Sequence, residues 1–315
     1  MRDLRIVFMG TPEFAVASLK HIIESKYNVV GVITAPDRPA GRGRKLQQSA
    51  VKEFAVAYGL PVLQPTNLKS PEFLEELKSL KPNLQVVVAF RMLPKVVWEL
   101  PEFGTFNLHA SLLPMYRGAA PINWAIINGE TITGVSTFYI DEKIDTGAMI
   151  LQKEISIKPN DTVGVLHDKL MDLGANLVLQ TLALIKNDKV KTISQKESKG
   201  LKEAPKLTKE NTRIDWGLDA QKIHDFIRGL NPYPAAWTLI KNGNQDMKTK
   251  IYDIGILKES HTKELGEIVL ENNKLKVAVK DGHILINEIQ LPGKRKMKTK
   301  ELLNGYQFEN GAKVL

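Results

Sequence analysis

Asn107 and His109 stand two residues apart in the segment FNLH, and Asp145 sits in the glycine-bearing loop DEKIDTGAM. An amide, an imidazole and a carboxylate are groups that hold charge and move protons. Along a strand, side chains two apart share a face, so Asn107 and His109 would meet one small volume and could share a single substrate carbonyl. Asp145 is a candidate to orient or charge His109. Taken singly, each group has a plainer explanation: a strand-end histidine as a structural hydrogen-bonding residue, an aspartate in D-T-G as a turn former.

The elements that must position these residues are legible as patterns. LRIVFM (4–9), NVVGVI (28–33) and LQVVVAF (84–90) are almost wholly apolar, as strands buried on both faces are, and helical patterns at 13–25, 49–58 and 71–80 separate them. That alternation predicts βαβ units around a mostly parallel, Rossmann-like sheet, with further strands at 104–108 and 133–140. Asp161 or Thr162 would cap a long helix whose leucines at 166, 170, 173, 177 and 184 form one apolar face. A polar stretch rich in lysine and serine follows, and short strands punctuated by turns come after it. The expected organisation is an α/β domain over 1–189, a linker over 190–205 and an OB-like β-barrel over 206–315. A length of 315 residues suits two domains.

Other features exclude classes. VFMGTPEFA carries one glycine where a dinucleotide fold needs G-x-G-x-x-G, so a nicotinamide cofactor is disfavoured and Pro12 suits a first helical turn. The chain has no cysteine, which removes disulfides and thiolate ligands, and its six histidines show no metal-ligand spacing; no metal is expected. No apolar run reaches the length of a membrane span and no signal pattern opens the chain, which points to the cytoplasm. The net charge of +9 favours a polyanionic partner. From residue 205 onward 19 Lys and Arg face 14 Asp and Glu, so the excess is denser in the smaller half. Arg38, Arg42, Arg44 and Lys45 crowd one loop, and Lys294, Arg295, Lys296, Lys298 and Lys300 crowd another.

The segments FNLHASLLPMYRGAAPINWAIINGE and TGVSTFYIDEKIDTGAMI resemble the signature of folate-dependent formyltransferases. The resemblance implies that Asn107, His109 and Asp145 form a catalytic trio. It implies that Ser111, Leu112, Leu113 and Pro114 line the site of 10-formyltetrahydrofolate, the formyl donor. TAPDRPAGRGRKLQQSAVKEFA is similar to the loop by which one branch of the family enters a tRNA acceptor end. KLTKENTRIDW, IRGLNPYPAAW and LPGKRKMKTKELLNG match that branch's C-terminal pattern. The similarity runs nearly end to end. It implies initiator methionyl-tRNA as acceptor, a monomer, and tRNA contacts from Arg38, Arg42, Arg44, Lys45, Lys206, Lys294, Arg295, Lys296 and Lys298. Sugar-nucleotide and purine-pathway members share the trio, but not the basic loop together with this C-terminal pattern. One departure stands out: AFRMLP (89–94) replaces A-Y-G-L-I-L-P, one residue shorter and with Arg91 where a glycine is usual.

Overall fold

A computed structural model describes residues 1–40, 45–196 and 199–315, with backbone alone for Ala40 and Lys45. It divides into two compact units. One gathers Met1–Gly118, Ile132–Ser156 and His167–Glu203; the other gathers Ala119–Thr131, Ile157–Leu166 and Ala204–Leu315. The units therefore do not part at a single point in the chain.

The first unit contains strands β1 (Arg5–Gly10), β2 (Asn28–Ile33), β3 (Arg38–Ala40), β4 (Lys45–Gln47), β5 (Val62–Leu63), β6 (Leu84–Val88), β7 (Thr105–His109), β8 (Arg117–Gly118), β9 (Ile132–Tyr139) and β10 (Met149–Ser156). Its helices are α1 (Glu13–Glu24), α2 (Ala50–Ala57), α3 (Pro71–Ser79) and α4 (Lys95–Trp98). A seven-stranded sheet runs in the order β10-β9-β7-β6-β1-β2-β5. From β7 to β5 the pairs are parallel, and β9 and β10 are added antiparallel. The apolar β1 and β6 occupy the middle, where both faces are covered. Gly10 ends β1 because α1 turns back at once: a Cβ there would lie 2.6 Å from the Ala15 Cβ and 3.0 Å from the Val88 carbonyl oxygen. Pro12 is the residue that precedes the first turn of α1, as its missing N–H allows.

The basic loop is more ordered at its base than its composition suggests. β3 and β4 pair as an antiparallel ribbon, which needs backbone hydrogen bonds and no apolar face. Lys52 of α2 meets Asp37 at 2.5 Å, and Gln64 donates to Asp37 and to the Ala35 carbonyl, both at 2.8 Å.

Helix α5 (Pro121–Ile127) belongs to the second unit, and α6 (Val163–Lys186) begins there and continues into the first. Thr162 accepts the Val165 N–H at the start of α6, as a capping residue should. The short β11 (Glu203–Ala204) leads into α7 (Ala220–Arg228) and strands β12 (Ala236–Asn242), β13 (Gln245–Leu257), β14 (Ile268–Glu271), β15 (Lys274–Val279), β16 (Gly282–Gln290), β17 (Met297–Lys298) and β18 (Lys313–Val314), with α8 (Thr299–Leu303) before the last. The antiparallel order is β14-β15-β16-β13-β12-β18. A bridge between Glu267 and Lys313 brings the two edges together, giving a nearly closed barrel. Helix α7 buries Ala220, Ile223 and Ile227, spaced three and four apart, in a core with Leu275, Ile286 and Ile289. Among the described residues no helix is long and apolar enough to cross a membrane.

Candidate active site

β7 ends in Asn107 and His109, and its pairing with β6 and β9 fixes both. His109 is only 6% exposed. Its Nε2 lies 2.8 Å from the Tyr116 carbonyl oxygen, which can only accept, so Nε2 carries a proton. Nδ1 is then the nitrogen turned toward Asp145, 3.7 Å from Oδ2. That oxygen also accepts the Gly118 N–H at 3.0 Å. Asn107 is half-buried, and among the described residues no protein group takes up its side-chain amide. The structure thus brings the imidazole and the carboxylate together beside a strand end that also carries an uncommitted amide donor.

The loops around the trio hold unusual backbone. Tyr116 and Asp145 have φ of 59° and 55°, left-handed conformations that cost a non-glycine residue about 1–3 kcal/mol each and persist where surroundings over-determine them. Gly147 is required by close approach: a Cβ there would lie 1.7 Å from the Tyr139 carbonyl oxygen. The Gln195 amide donates to the carbonyls of Asp145 and Gly147, and its oxygen accepts from Arg117.

The S-L-L-P turn follows directly. Ser111 and Leu113 are buried, whereas Leu112 and Pro114 are partly exposed, and Leu113–Pro114 is a cis peptide bond. The Ser111 hydroxyl donates to the Met115 carbonyl at 2.6 Å, which closes the turn. Ser136 of β9 does more than the sequence pattern disclosed: its hydroxyl donates to the Ser111 carbonyl and accepts from the Leu113 N–H and from Gln152. Gln152 also donates to the Leu113 carbonyl. Its register across β9 could be guessed; its aim could not.

Arg91, the departure from the family pattern, lies beside α4 and donates to the carbonyls of Pro65 and Thr66. Burial, and after it the charge of Arg38, push the Arg91 guanidinium below its ordinary value. It therefore stands within electrostatic reach of the β3–β4 ribbon.

Of the basic groups expected from sequence, Arg38 is exposed on β3; Arg42 and Arg44, and the side chain of Lys45, lie outside the described residues. Lys206, Lys294, Arg295, Lys296 and Lys298 are all exposed. Two of them are already paired: Arg295 with Glu301 at 3.0 Å and Lys296 with Glu288 at 2.7 Å. A further basic surface, missed in the sequence, surrounds Trp237. Lys248 lies 4.2 Å above that ring and Arg213 5.7 Å from it, while the Trp237 indole donates to the Lys209 carbonyl. Burial, and then the charges of Lys209 and Lys250, hold the Lys248 ammonium below its ordinary value. Lys250 donates to the carbonyl of Pro234, next to Tyr233, which is 81% exposed. The signal was the lysine alternation in MKTK opposite Trp237.

Comparison with known proteins agrees with this arrangement. Residues 4–182 match the family model "Formyl transferase", and residues 206–307 match "Formyl transferase, C-terminal domain". A methionyl-tRNA formyltransferase of Flavobacterium johnsoniae is 58% identical over 314 residues, covering 100% of both chains. One from Bacteroides thetaiotaomicron is 52% identical, covering 99% of this chain and 98% of that one. Among solved structures, WlaRD, a sugar 3N-formyl transferase, superposes with a TM-score of 0.65 at 21% identity, covering 94% of this chain and all of that one. HypX from Aquifex aeolicus in complex with tetrahydrofolic acid gives 0.66 at 18% identity, covering 98% and 49%. These two share the fold. With identity above half along the whole length, both halves matched in order and the Asn, His and Asp brought to one strand end, the chain belongs to the methionyl-tRNA formyltransferase family.

Proposed function

We propose that the protein transfers the formyl group of 10-formyltetrahydrofolate to the α-amine of initiator methionyl-tRNA, in the cytoplasm and as a monomer. The observation that carries the site assignment is the approach of His109 Nδ1 to Asp145 Oδ2 beside the open amide of Asn107. Amine attack on the formyl carbon puts negative charge on the formyl oxygen. The Asn107 side-chain NH2 and a protonated His109 Nδ1 are the two donors that hold it, and each such donor typically contributes about 2.7–4 kcal/mol. Since Nε2 is spent on Tyr116, Nδ1 must serve both Asp145 and the oxyanion.

The attacking amine has an ordinary pKa of about 7.7–8.0 and needs no strong base to be neutral. A proton must still leave it after attack, and another must reach N10 of the departing folate. Asp145 is the carrier: Oδ2 is held by the Gly118 N–H, leaving Oδ1 to accept and return the proton. The S-L-L-P turn, fixed by Ser136 and Gln152, shapes the folate side through Leu112 and Pro114. The tRNA is held by its phosphates. On the first unit Arg38, Arg42, Arg44, Lys45 and Arg91 serve; on the second, Lys206, Lys294, Lys298 and the group around Trp237 are better placed than the carboxylate-paired Arg295 and Lys296.

Incubation with 10-formyltetrahydrofolate and charged initiator or elongator methionyl-tRNA tests the reading. N-formylmethionine should appear on the initiator. No product with either tRNA overturns it.

A further inference from the structure

Ile193 and Gln195, in the segment 190–205 expected to be a linker, are docked on the active-site loops. Ile193 exchanges both backbone hydrogen bonds with Met149, at 2.8 and 2.9 Å. Two residues on, the Gln195 side chain sits between two loops. Its Nε2 donates to the carbonyls of Asp145, at 2.9 Å, and Gly147, at 2.8 Å. Its Oε1 accepts from Arg117 Nε at 3.1 Å and Nη2 at 2.7 Å. The residues flanking Arg117 are the very ones that fix the trio: Tyr116 offers its carbonyl to His109, and Gly118 its N–H to Asp145.

The D-T-G loop has hydrogen bonds of its own, from the Lys143 N–H and the Thr146 hydroxyl to Asp141. Neither reaches the backbone of Asp145. That residue holds a left-handed φ of 55°, and a side-chain amide gripping its carbonyl opposes relaxation to an ordinary turn. Gln195 thus satisfies two loop carbonyls with its one NH2 group and one guanidinium with its oxygen, using every polar atom it has.

We propose that Gln195, seated by Arg117, is a positioning residue that holds Asp145 in its productive place against His109. It rests on the catalytic reading of Asp145. The fold consequently makes the chain beyond α6 part of the active site's support.

The experiment measures kcat and KM for 10-formyltetrahydrofolate and methionyl-tRNA in Gln195→Ala, Gln195→Glu and Asp145→Asn, and in the double variant Gln195→Ala with Asp145→Asn. Gln195→Ala should lower kcat at least tenfold with both KM values within about twofold and with the cooperative unfolding transition retained, because every polar atom of the Gln195 side chain is spent on protein groups. Gln195→Glu keeps the acceptor for Arg117 and loses the donor for the two carbonyls, so it should also lose kcat. Its ratio to wild type should rise as pH falls, since a neutral carboxyl regains one O–H donor. In the Asp145→Asn background, Gln195→Ala should cost little more. A crippled Asp145→Asn beside a Gln195→Ala whose kcat stays within twofold overturns the positioning role and leaves the catalytic reading standing. A near-normal Asp145→Asn sinks the catalytic reading itself.

Discussion

At the scale of the residue, the site economises on donors. His109 has two ring nitrogens, and one is committed to the Tyr116 carbonyl, so the proposed catalytic duty of the ring falls on Nδ1. Two predictions separate the donors. Asn107→Ala removes an amide that no group among the described residues takes up, so kcat should drop by about 10²–10³ with stability nearly unchanged. His109→Ala removes the second donor and with it a buried hydrogen bond to the Tyr116 carbonyl, so it should lose a similar factor in rate together with about 0.5–1.5 kcal/mol in stability. Turnover and urea midpoints of the two variants check this, and near-normal turnover in His109→Ala would refute the oxyanion role. The approach of His109 to Asp145 was legible in the sequence because strand periodicity puts Asn107 and His109 on one face, and because Asp145 stands in a glycine loop after a neighbouring strand. Gln195 and Ser136 were not legible. Each acts through contacts with residues far along the chain, and no local spacing reveals such a contact. Ser111 shows the complementary limit: its position was expected, but its hydroxyl is turned to Met115.

At the scale of the element, β9 is the scaffold of the S-L-L-P turn, the proposed folate side. One hydroxyl, on Ser136, serves three partners on two segments: Ser111, Leu113 and Gln152. Ser136→Ala leaves a buried N–H and a buried carbonyl to find new partners, at about 1–3 kcal/mol for each orphaned group. The S-L-L-P turn should loosen, and KM for the folate should rise more than kcat falls. Steady-state kinetics with saturating tRNA measure the split. Helix α7 is the corresponding element of the second unit. Its Asp225 and Arg228 are both about nine-tenths buried and meet at 2.7 Å, and Arg228 also donates to the Asp161 carbonyl. Burial pushes the Asp225 carboxyl up, but His224 and Arg228 outweigh it and hold it below its ordinary 3.8. A lowered folded-state value means that the pair stabilises above about pH 4 and that this contribution is lost as pH falls through the folded-state value. Arg228→Ala should therefore cost about 3–5 kcal/mol near neutrality, and the gap to wild type should narrow in strong acid. Urea unfolding at pH 7 and pH 3 tests the sign. The long apolar strands were readable because burial on both faces leaves no polar positions. The β3–β4 ribbon was not, since backbone pairing alone holds it, and α7 was overlooked although Ile223 and Ile227 stand four apart.

At the scale of the whole molecule, the question is which part of the +9 charge is available to a polyanion. A lysine already facing a carboxylate brings little net attraction, because binding must release its partner or carry it along. By that measure the densest basic run in the sequence, residues 294–298, is weaker than it reads: Arg295 and Lys296 are paired to Glu301 and Glu288. The group around Trp237 is the reverse. Lys248 is held below its ordinary value first by burial and then by the like charges of Lys209 and Lys250, with Glu210 opposing them, and a phosphate would relieve that repulsion. Beside it are one aromatic ring under cations and one, Tyr233, almost fully exposed, surfaces on which bases or riboses can rest. Each phosphate neutralised adds about 0.7–0.9 to the slope of log affinity against log salt. Measured from 50 to 300 mM salt, tRNA affinity should fall steeply for the wild type. Lys248→Ala should reduce the slope by nearly one such increment, while Arg295→Ala should reduce it by clearly less. Equal reductions would mean that the carboxylate pairs open on binding, and an unchanged slope in Lys248→Ala would remove the Trp237 surface from the tRNA footprint.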